Sequence, residues 1–474
     1  MKTSHMAWAH EEFGRAQLGD ARRGRRLVEM AAKAARRPAG TVTGVFATSA
    51  HREGAYRLLE NEALDREALT ASASSAAARR SAMYREVIVP MDGSSLTFSD
   101  PADRRGLGPV GTRSQGALGV IVMTALAVAP TGTTLGILDQ QYWARSKEPP
   151  KKPTRRRGSK HDKRPREQRE SFVWVEGMRR AAAVMASEAP GTRPWFQLDR
   201  GGDCLSVLIE AADADLQVTV RAVHDRCLCW PDGQQGRLLP SMLFQPVLGT
   251  YVVDVPGRPR QVERRATLSV RVARLPLVLR TGRKKRRVLE TTVVLAREQG
   301  APQGQEPLQW LLITTHPVES LADAIDVVAA YSMRWRIEDF HKTWKSGACN
   351  VESSKLESKE AILRWATIMA SVAARIEGIK HAARNIPDRP ATDVFSRDEV
   401  DAAILLFKSG TKLPIAYKPG DTPTVAEVTR WIASLGGHMG NPKTRPPGAT
   451  VIRRGLELVE GAAMALASLR AEKM

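Results

Sequence analysis

Four polar residues recur at helical spacing in YSMRWRIEDFHKTWKSG, residues 331–347: Tyr331, Arg334, Glu338 and Lys345. Because an α-helix turns about 100° per residue, all four would share one narrow stripe. A hydroxyl, two cations and a carboxylate on one face could bind phosphate and a divalent metal ion together. The alternative is an exposed Arg–Glu pair one turn apart, which would contribute only about 0.3–0.5 kcal/mol.

Two further carboxylates follow predicted strands. The apolar run EVIVPMD ends at Asp92, and PWFQLD ends at Asp199. The carboxyl ends of neighbouring strands in an α/β sheet open into one crevice, so a helix packed there would bring Glu338 to both aspartates. Three adjacent carboxylates repel one another unless a cation compensates, and hard oxygen ligands suit Mg²⁺ or Mn²⁺. The pattern predicts a two-metal site for phosphodiester chemistry.

The helix that carries Glu338 also needs an anchoring face. Ile337, Phe340 and Trp344 recur at spacings of three and four beside the polar stripe. This spacing predicts a buried seam next to the charged one.

Composition narrows the class of protein. The 474 residues include 72 Lys and Arg against 51 Asp and Glu, a net charge of +21, which favours a polyanionic partner such as DNA or RNA. Neither a membrane span nor a secretory signal is predicted, so we expect a cytoplasmic protein that is not bound to membranes. Four cysteines are too few for a disulfide framework, and Cys227 and Cys229 with His224 lack the paired C-x-x-C arms of a zinc site.

The chain divides into three predicted regions, which together indicate an α/β fold. Residues 1–75 read as small helices, residues 76–385 as a mixed sheet flanked by helices, and residues 386–474 as mostly helical. Short strand-like runs at about 226–316 indicate a β-rich insertion in the central region. The basic segment at residues 145–170 is predicted to become ordered on binding.

A basic helix is predicted near the start, in GDARRGRRLVEMAAKAARR, with Asp20 as its N-cap. Its cations would either form a solvated face or contact DNA, and the charge of the whole chain favours DNA contact. The residues concerned are Arg22, Arg23, Arg26, Arg36 and Arg37.

These motifs resemble a known family. The pattern Y-x-x-R-x-x-x-E-x-x-x-x-x-x-K, together with QLDRGGD, LGDARRGRRLV, EGAYRLLEN and PLQWLLITTHPVESLADA, is similar to bacterial DDE transposases of the insertion-sequence-four family, Tn-five transposase type. The resemblance implies an RNase H-like catalytic core with a β-rich insertion, a helical N-terminal DNA-binding domain and a helical C-terminal domain. It also implies two Mg²⁺ ions, for which Mn²⁺ can substitute.

The resemblance assigns roles to individual residues. Asp92, Asp199 and Glu338 would be the catalytic metal ligands. Trp310 would stack on a flipped base while a DNA hairpin forms, the alternative being a core tryptophan. The remaining DNA-binding candidates are Tyr331, Arg334 and Lys345 on the cleaved end, Lys342 on a nearby face, and Arg221, which could instead be a solvated strand-end charge.

The expected function is cut-and-paste transposition. The protein would bind the terminal repeats of a mobile element, excise it through a hairpin and join the 3′ ends to target DNA. By resemblance it would act as a homodimer on double-stranded DNA, associated with the bacterial nucleoid, with the C-terminal helices forming either the dimer contact or a packing subdomain. Two alternatives remain open: a catalytically silent DNA-binding relative, and a metal-dependent nuclease without strand transfer.

Overall fold

A computed structural model describes residues 4–100, 105–111, 116–146, 172–255, 262–280, 286–410, 416–440 and 446–472.

The N-terminal region is helical, as predicted. Asp20 caps the second helix by accepting a hydrogen bond from the Arg22 N–H at 2.8 Å, and Leu27 lies on that helix's buried face. The helices are α1 (Ser4–Phe13), α2 (Ala21–Arg36), α3 (Val42–Val45), α4 (Ser49–Glu60) and α5 (Arg66–Ser81).

A mixed sheet with helices follows, in the predicted order apart from one short extra strand. The central strand β1 is antiparallel to β3 and parallel to β5, and β5 is parallel to β6. The extra strand is β2, and the basic segment at 145–170 lies mostly outside the described residues. The elements are β1 (Glu86–Phe98), β2 (Gly108–Pro109), β3 (Leu118–Val128), β4 (Thr134–Trp143), α6 (Phe172–Glu188), β5 (Arg193–Leu198), α7 (Leu205–Asp213) and β6 (Gln217–Arg221).

The region predicted as a β-rich insertion continues this sheet. Its last strand pairs antiparallel with β6, so the described strands run in the order β2-β3-β1-β5-β6-β12-β11-β10-β7-β8, with β4 on β3 and β9 on β10. The short helix α8 within it was not predicted. The elements are β7 (Cys227–Cys229), β8 (Gln235–Arg237), α8 (Leu238–Leu243), β9 (Gly249–Val255), β10 (Arg264–Arg280), β11 (Arg286–Gln299) and β12 (Gln309–Thr314).

Helices form the remainder of the described chain, which confirms the predicted helical C-terminal region. The longest of them, α11, contacts the N-terminal helices, because Trp365 donates a hydrogen bond to the Gly40 carbonyl and Arg364 donates one to the Leu59 carbonyl. These helices are α9 (Leu321–Ser332), α10 (Trp335–Lys345), α11 (Lys359–Asn385), α12 (Arg397–Gly410), α13 (Val425–Leu435) and α14 (Ala449–Glu472).

The sheet is buried on both faces where it carries the candidate site. Along β1, Ile88 packs into the core shared with α11, whereas Val87 and Val89 pack into the core shared with α6 and α7. Strands covered on both sides read as nearly continuous apolar runs, as EVIVPM does. Within the described ranges, no helix is long and apolar enough to cross a membrane.

Candidate active site

Asp92 and Asp199 lie next to each other at one edge of the sheet. The parallel pairing of β1 with β5 ends at Met91 and Leu198, so each aspartate is the first residue beyond it. The prediction that β1 itself ends at Asp92 was wrong. The strand continues to Phe98 because its antiparallel partner β3 still supplies hydrogen bonds there.

Local backbone contacts fix both carboxylates. Asp92 accepts a hydrogen bond from the Gly93 N–H at 2.8 Å. Asp199 caps the 3₁₀ turn at residues 200–202 and accepts from the Gly201 N–H at 2.7 Å. Both aspartates are therefore oriented before any ligand binds.

The predicted single helix through residues 331–347 is two helices. A turn between Ser332 and Trp335 interrupts the α-helical hydrogen-bond pattern, because the N–H groups of Arg334 and Ile337 bond to carbonyls three residues back instead of four. The turn keeps helical backbone angles at Arg334, so Tyr331 and Glu338 still reach the same side.

Glu338 lies across the crevice from the aspartates, with Arg334 between them. The Arg334 guanidinium is 3.5 Å from the Asp92 carboxylate and 3.3 Å from the Glu338 carboxylate. The Arg334 side chain is 9% exposed and that of Glu338 is 43% exposed, so this pair is not the exposed helix pair of the alternative interpretation.

The acids destabilise the ionised form of Asp92. Burial, reinforced by the negative charges of Asp199 and Glu338, raises the pKa of Asp92 to about 7, although Arg334 opposes the shift. Burial lowers the pKa of Arg334, but Tyr331 and the two acids more than offset this and raise it. Asp92, Asp199 and Glu338 together carry more negative charge than Arg334 alone neutralises.

A cleft of about 820 Å³ opens beside these acids. Tyr331, Arg334, Arg221 and Trp310, four of the predicted DNA-binding residues, all line it. The Arg221 side chain donates a hydrogen bond to the Gln309 carbonyl at 3.1 Å and faces the Tyr331 hydroxyl. Trp310 is half-buried and packs against the hydrophobic core, and Arg221 is half-buried as well, so the alternatives of a core tryptophan and a strand-end charge both stay open.

Lys345 lies beside β1, the strand that carries Asp92. Its ammonium lies 3.2 Å from the Ser94 hydroxyl and 3.9 Å from the Glu352 carboxylate. Ser94 is two residues after Asp92 on β1, and residues two apart in a strand share a face. Lys342 is exposed on α10, one turn from Glu338.

The predicted anchoring seam is confirmed. Ile337, Phe340 and Trp344 are all 0% exposed, and the Trp344 indole donates a hydrogen bond to the Ala366 carbonyl at 3.0 Å. Phe340 and Trp344 stack with ring centroids 5.7 Å apart. The seam therefore holds α10 against α11 while the polar stripe faces the crevice.

The predicted DNA-binding residues in α2, and Arg37 just after it, fall into two groups. Arg22 is exposed, Arg23 donates to the Leu18 carbonyl, and Arg26 lies 3.5 Å from Glu29. The last two instead face α14: Arg36 donates to the Met464 sulfur at 2.9 Å, and Arg37 lies 3.2 Å from Glu457.

Several residues around the site were not predicted from the sequence. Arg200 and Trp335 line the cleft, and Ser94 and Glu352 hold Lys345. Arg200, Trp335 and Ser94 each lie within two residues of a predicted one, so proximity to the motif could have identified them. Glu352 follows an unpredicted left-handed turn at Asn350, and no signal in the sequence points to it.

Comparison with known families agrees with this geometry. Residues 138–374, half of the chain, match the family described as Transposase DDE domain, and residues 5–64 match Transposase DNA-binding. The chain belongs to the DDE transposase family. The transposase thus has a DNA-binding region at its N-terminal helices and a DDE domain that includes Asp199 and Glu338. Asp92 lies outside the matched range, and its assignment depends on resemblance and on its position beside Asp199.

Membership of the DDE transposase family also implies DNA as the partner and the use of divalent metal ions. DDE domains act on DNA and use divalent metal ions, so the expectation of a DNA-binding enzyme is confirmed at this level.

Proposed function

We propose that this transposase is of the insertion-sequence-four family, Tn-five type, and moves its element by a cut-and-paste reaction. It would bind the terminal repeats, nick each end, form and resolve a hairpin, and join the freed 3′-hydroxyls to target DNA. The observation that carries the proposal is the adjacency of Asp92 and Asp199 at the end of the parallel pairing, with Glu338 facing them.

The three acids fit a pair of Mg²⁺ ions, or Mn²⁺ in their place. The raised pKa of Asp92 reflects burial and negative charge that Arg334 does not neutralise, and carboxylate oxygens are the ligands these ions prefer. Asp92, Asp199 and Glu338 would hold the ions. When bound, such a pair activates a water or hydroxyl and stabilises the leaving oxygen of an in-line displacement.

The cationic groups around the acids would bind the DNA backbone. Arg334 would exchange its carboxylate contacts for a phosphate once cations neutralise the acids, since its fork of donors matches phosphate geometry. Lys345 is already held on the Asp92 face by Ser94. Tyr331, Arg221 and Lys342 would complete the phosphate contacts.

Trp310 would receive the flipped base. It lies on β12 in the cleft wall, on the strand next to the one that bears Arg221. Stacking of a base on an aromatic ring contributes about 1–3 kcal/mol and tolerates any sequence. This interaction would hold the strand end open while the hairpin closes.

The proposed division of labour follows the three predicted regions. Residues 1–75 would recognise the ends, residues 76–385 would form the RNase H-like catalytic domain with its β-rich insertion at about 226–316, and residues 386–474 would support a homodimer. The boundary at 75 falls inside α5, which continues to Ser81. The cytoplasmic, nucleoid-associated location stays a prediction.

The test is a product analysis on a plasmid that carries this gene with its native flanks. With Mg²⁺, the wild type should release the element through hairpin ends that later open, and should insert it into a second plasmid. Glu357→Gln, an exposed glutamate outside the site, should act like the wild type, whereas Glu338→Gln should give no product.

Two outcomes would replace the proposal. Cleaved ends without hairpins or insertion would indicate the nuclease. Bound but uncut DNA with the wild type would indicate the catalytically silent relative.

A further inference from the structure

A buried contact between the first helix and the last helices contains three potential metal ligands. They are His5 on α1, Glu399 on α12 and Glu460 on α14, which are 1%, 1% and 2% exposed. One ligand atom from each lies within 4.8 Å of the others. The three residues come from distant parts of the chain, and none of them is one of the DDE acids.

The ligand atoms of this cluster are buried, and apart from ion pairs with one another and with Arg375 they lack well-formed hydrogen bonds. Among the described residues, both ring nitrogens of His5, Oε1 of Glu399 and Oε2 of Glu460 are such atoms. Buried polar atoms in proteins almost always have a hydrogen-bond partner, so several unsatisfied atoms at one point need an explanation. One cation contacting all three side chains would satisfy the imidazole and both carboxylates.

The spacing suits a small divalent cation. Nδ1 of His5 is 3.0 Å from Glu460 Oε2 and 3.6 Å from Glu399 Oε1. Tetrahedral zinc with bonds of about 2.0–2.1 Å places its nitrogen and oxygen ligands about 3.3 Å apart. One imidazole and two carboxylates also form a donor set that zinc accepts, with a fourth position for water.

The surroundings orient the ligands. The second oxygen of Glu399 accepts a hydrogen bond from the Ser396 N–H at 2.8 Å, which turns Oε1 toward His5. Arg375 lies 3.8 Å from that Oε1, and Arg36 acts on Glu460 at longer range.

A second cluster of the same composition provides a contrast. Asp339, Glu377 and His381 also bring three ligand atoms within 4.8 Å. There the ammonium of Lys380 contacts both carboxylates, at 3.3 Å from Asp339 and closer to Glu377. That cluster has an ammonium in contact with both carboxylates, whereas at the His5 cluster the neighbouring cation is the guanidinium of Arg375, 3.8 Å from Glu399 Oε1.

We propose that His5, Glu399 and Glu460 bind one divalent cation of the zinc class. The ion would fasten α1 to α12 and α14, and so join the Transposase DNA-binding region, whose match begins at residue 5, to the C-terminal helices. This role is structural and separate from the catalytic ions.

The test uses zinc alone and the full chain without an affinity tag. Glu338→Gln serves as the parent, because it weakens metal binding at the DDE acids. After dialysis against chelator and then zinc, elemental analysis should find one zinc per parent chain, and the Tm should rise with zinc concentration. His5→Ala and Glu460→Gln should each weaken binding by more than about tenfold and lose the Tm response.

The matched control is His10→Ala, which removes an exposed histidine from the same helix and should keep the zinc. If His5→Ala fails to fold by circular dichroism, the isosteric Glu460→Gln decides. A folded parent that takes up no zinc overturns the proposal, as does equal binding by parent and ligand variants. A Tm that responds to pH across the histidine range but not to zinc also overturns it, since a proton would then occupy the cluster.

Discussion

The ionisation of Asp92 depends on its burial and on the other charged groups of the site. Its pKa of about 7 in the fold, against 3.8 ordinarily, means that the native state holds its proton more tightly than the unfolded state does. The stability from this group is therefore complete below about pH 3.8 and is lost as pH rises through about 7. Without divalent metal, the wild type should lose Tm relative to Asp92→Asn across that window.

Thermal denaturation at a series of pH values checks this expectation. Asn mimics the protonated acid and cannot titrate, so the two curves should meet at low pH and separate toward neutral pH. Mg²⁺ added at pH 7 should recover wild-type stability and leave Asp92→Asn unchanged. A difference in Tm that stays constant with pH would show that burial and the neighbouring acids do not raise the pKa of Asp92.

Trp310 is the residue through which hairpin formation can be separated from nicking. Trp310→Ala removes the stacking surface and should reduce hairpin yield on the order of tenfold or more, since base stacking contributes about 1–3 kcal/mol. The first nick should be nearly unaffected. Trp310→Phe keeps a ring and should recover most of the yield in a time course on labelled end DNA. Equal loss of nicks and hairpins would place Trp310 in folding instead.

At the scale of elements, α10 depends on its buried seam. Trp344→Ala deletes a 0% exposed indole, with its hydrogen bond to Ala366 and its stacking on Phe340, and should cost about 3–5 kcal/mol. Urea denaturation measures this loss. Trp335→Ala is the control on the same helix, because Trp335 is 52% exposed and should change the free energy of unfolding far less.

The elements also show what the sequence could predict. Runs such as EVIVPMD and the spacing of Ile337, Phe340 and Trp344 depend on local pattern, and the corresponding strand and seam are present. The end of β1 was misplaced because pairing with β3 sustains the strand through polar residues, a tertiary effect. The break at Arg334 was missed because no Pro or Gly marks it.

Contacts between distant segments were beyond sequence reasoning. The polar stripe from Tyr331 to Lys345 predicted which residues would share a face, but not that Arg334 would lie between Asp92 and Glu338. Nor did the pattern of α2 indicate that Arg36 and Arg37 face α14. Such partners depend on how the helices pack, which periodicity leaves undetermined.

At the scale of the whole molecule, the net charge of +21 should make DNA binding strongly dependent on salt. Each phosphate contact releases counterions, so the logarithm of the binding constant should fall linearly with the logarithm of salt concentration. Arg22→Ala should reduce that slope by about one contact, whereas Arg37→Ala should leave it unchanged because Arg37 pairs with Glu457. Fluorescence anisotropy at several salt concentrations measures both, and a flat response would argue against DNA as the partner.

Asp92, Asp199 and Glu338 are proposed to form together a metal-dependent centre that cuts DNA. The most direct measurement is cleavage and binding of the same end DNA by Asp92→Asn, Asp199→Asn and Glu338→Gln. Each variant should bind like the wild type yet cut at least about a thousandfold more slowly with Mg²⁺, because removing a member of a catalytic unit disables the whole unit. Cleavage at the wild-type rate by any one of the three variants would show that the substituted acid is not part of the catalytic centre.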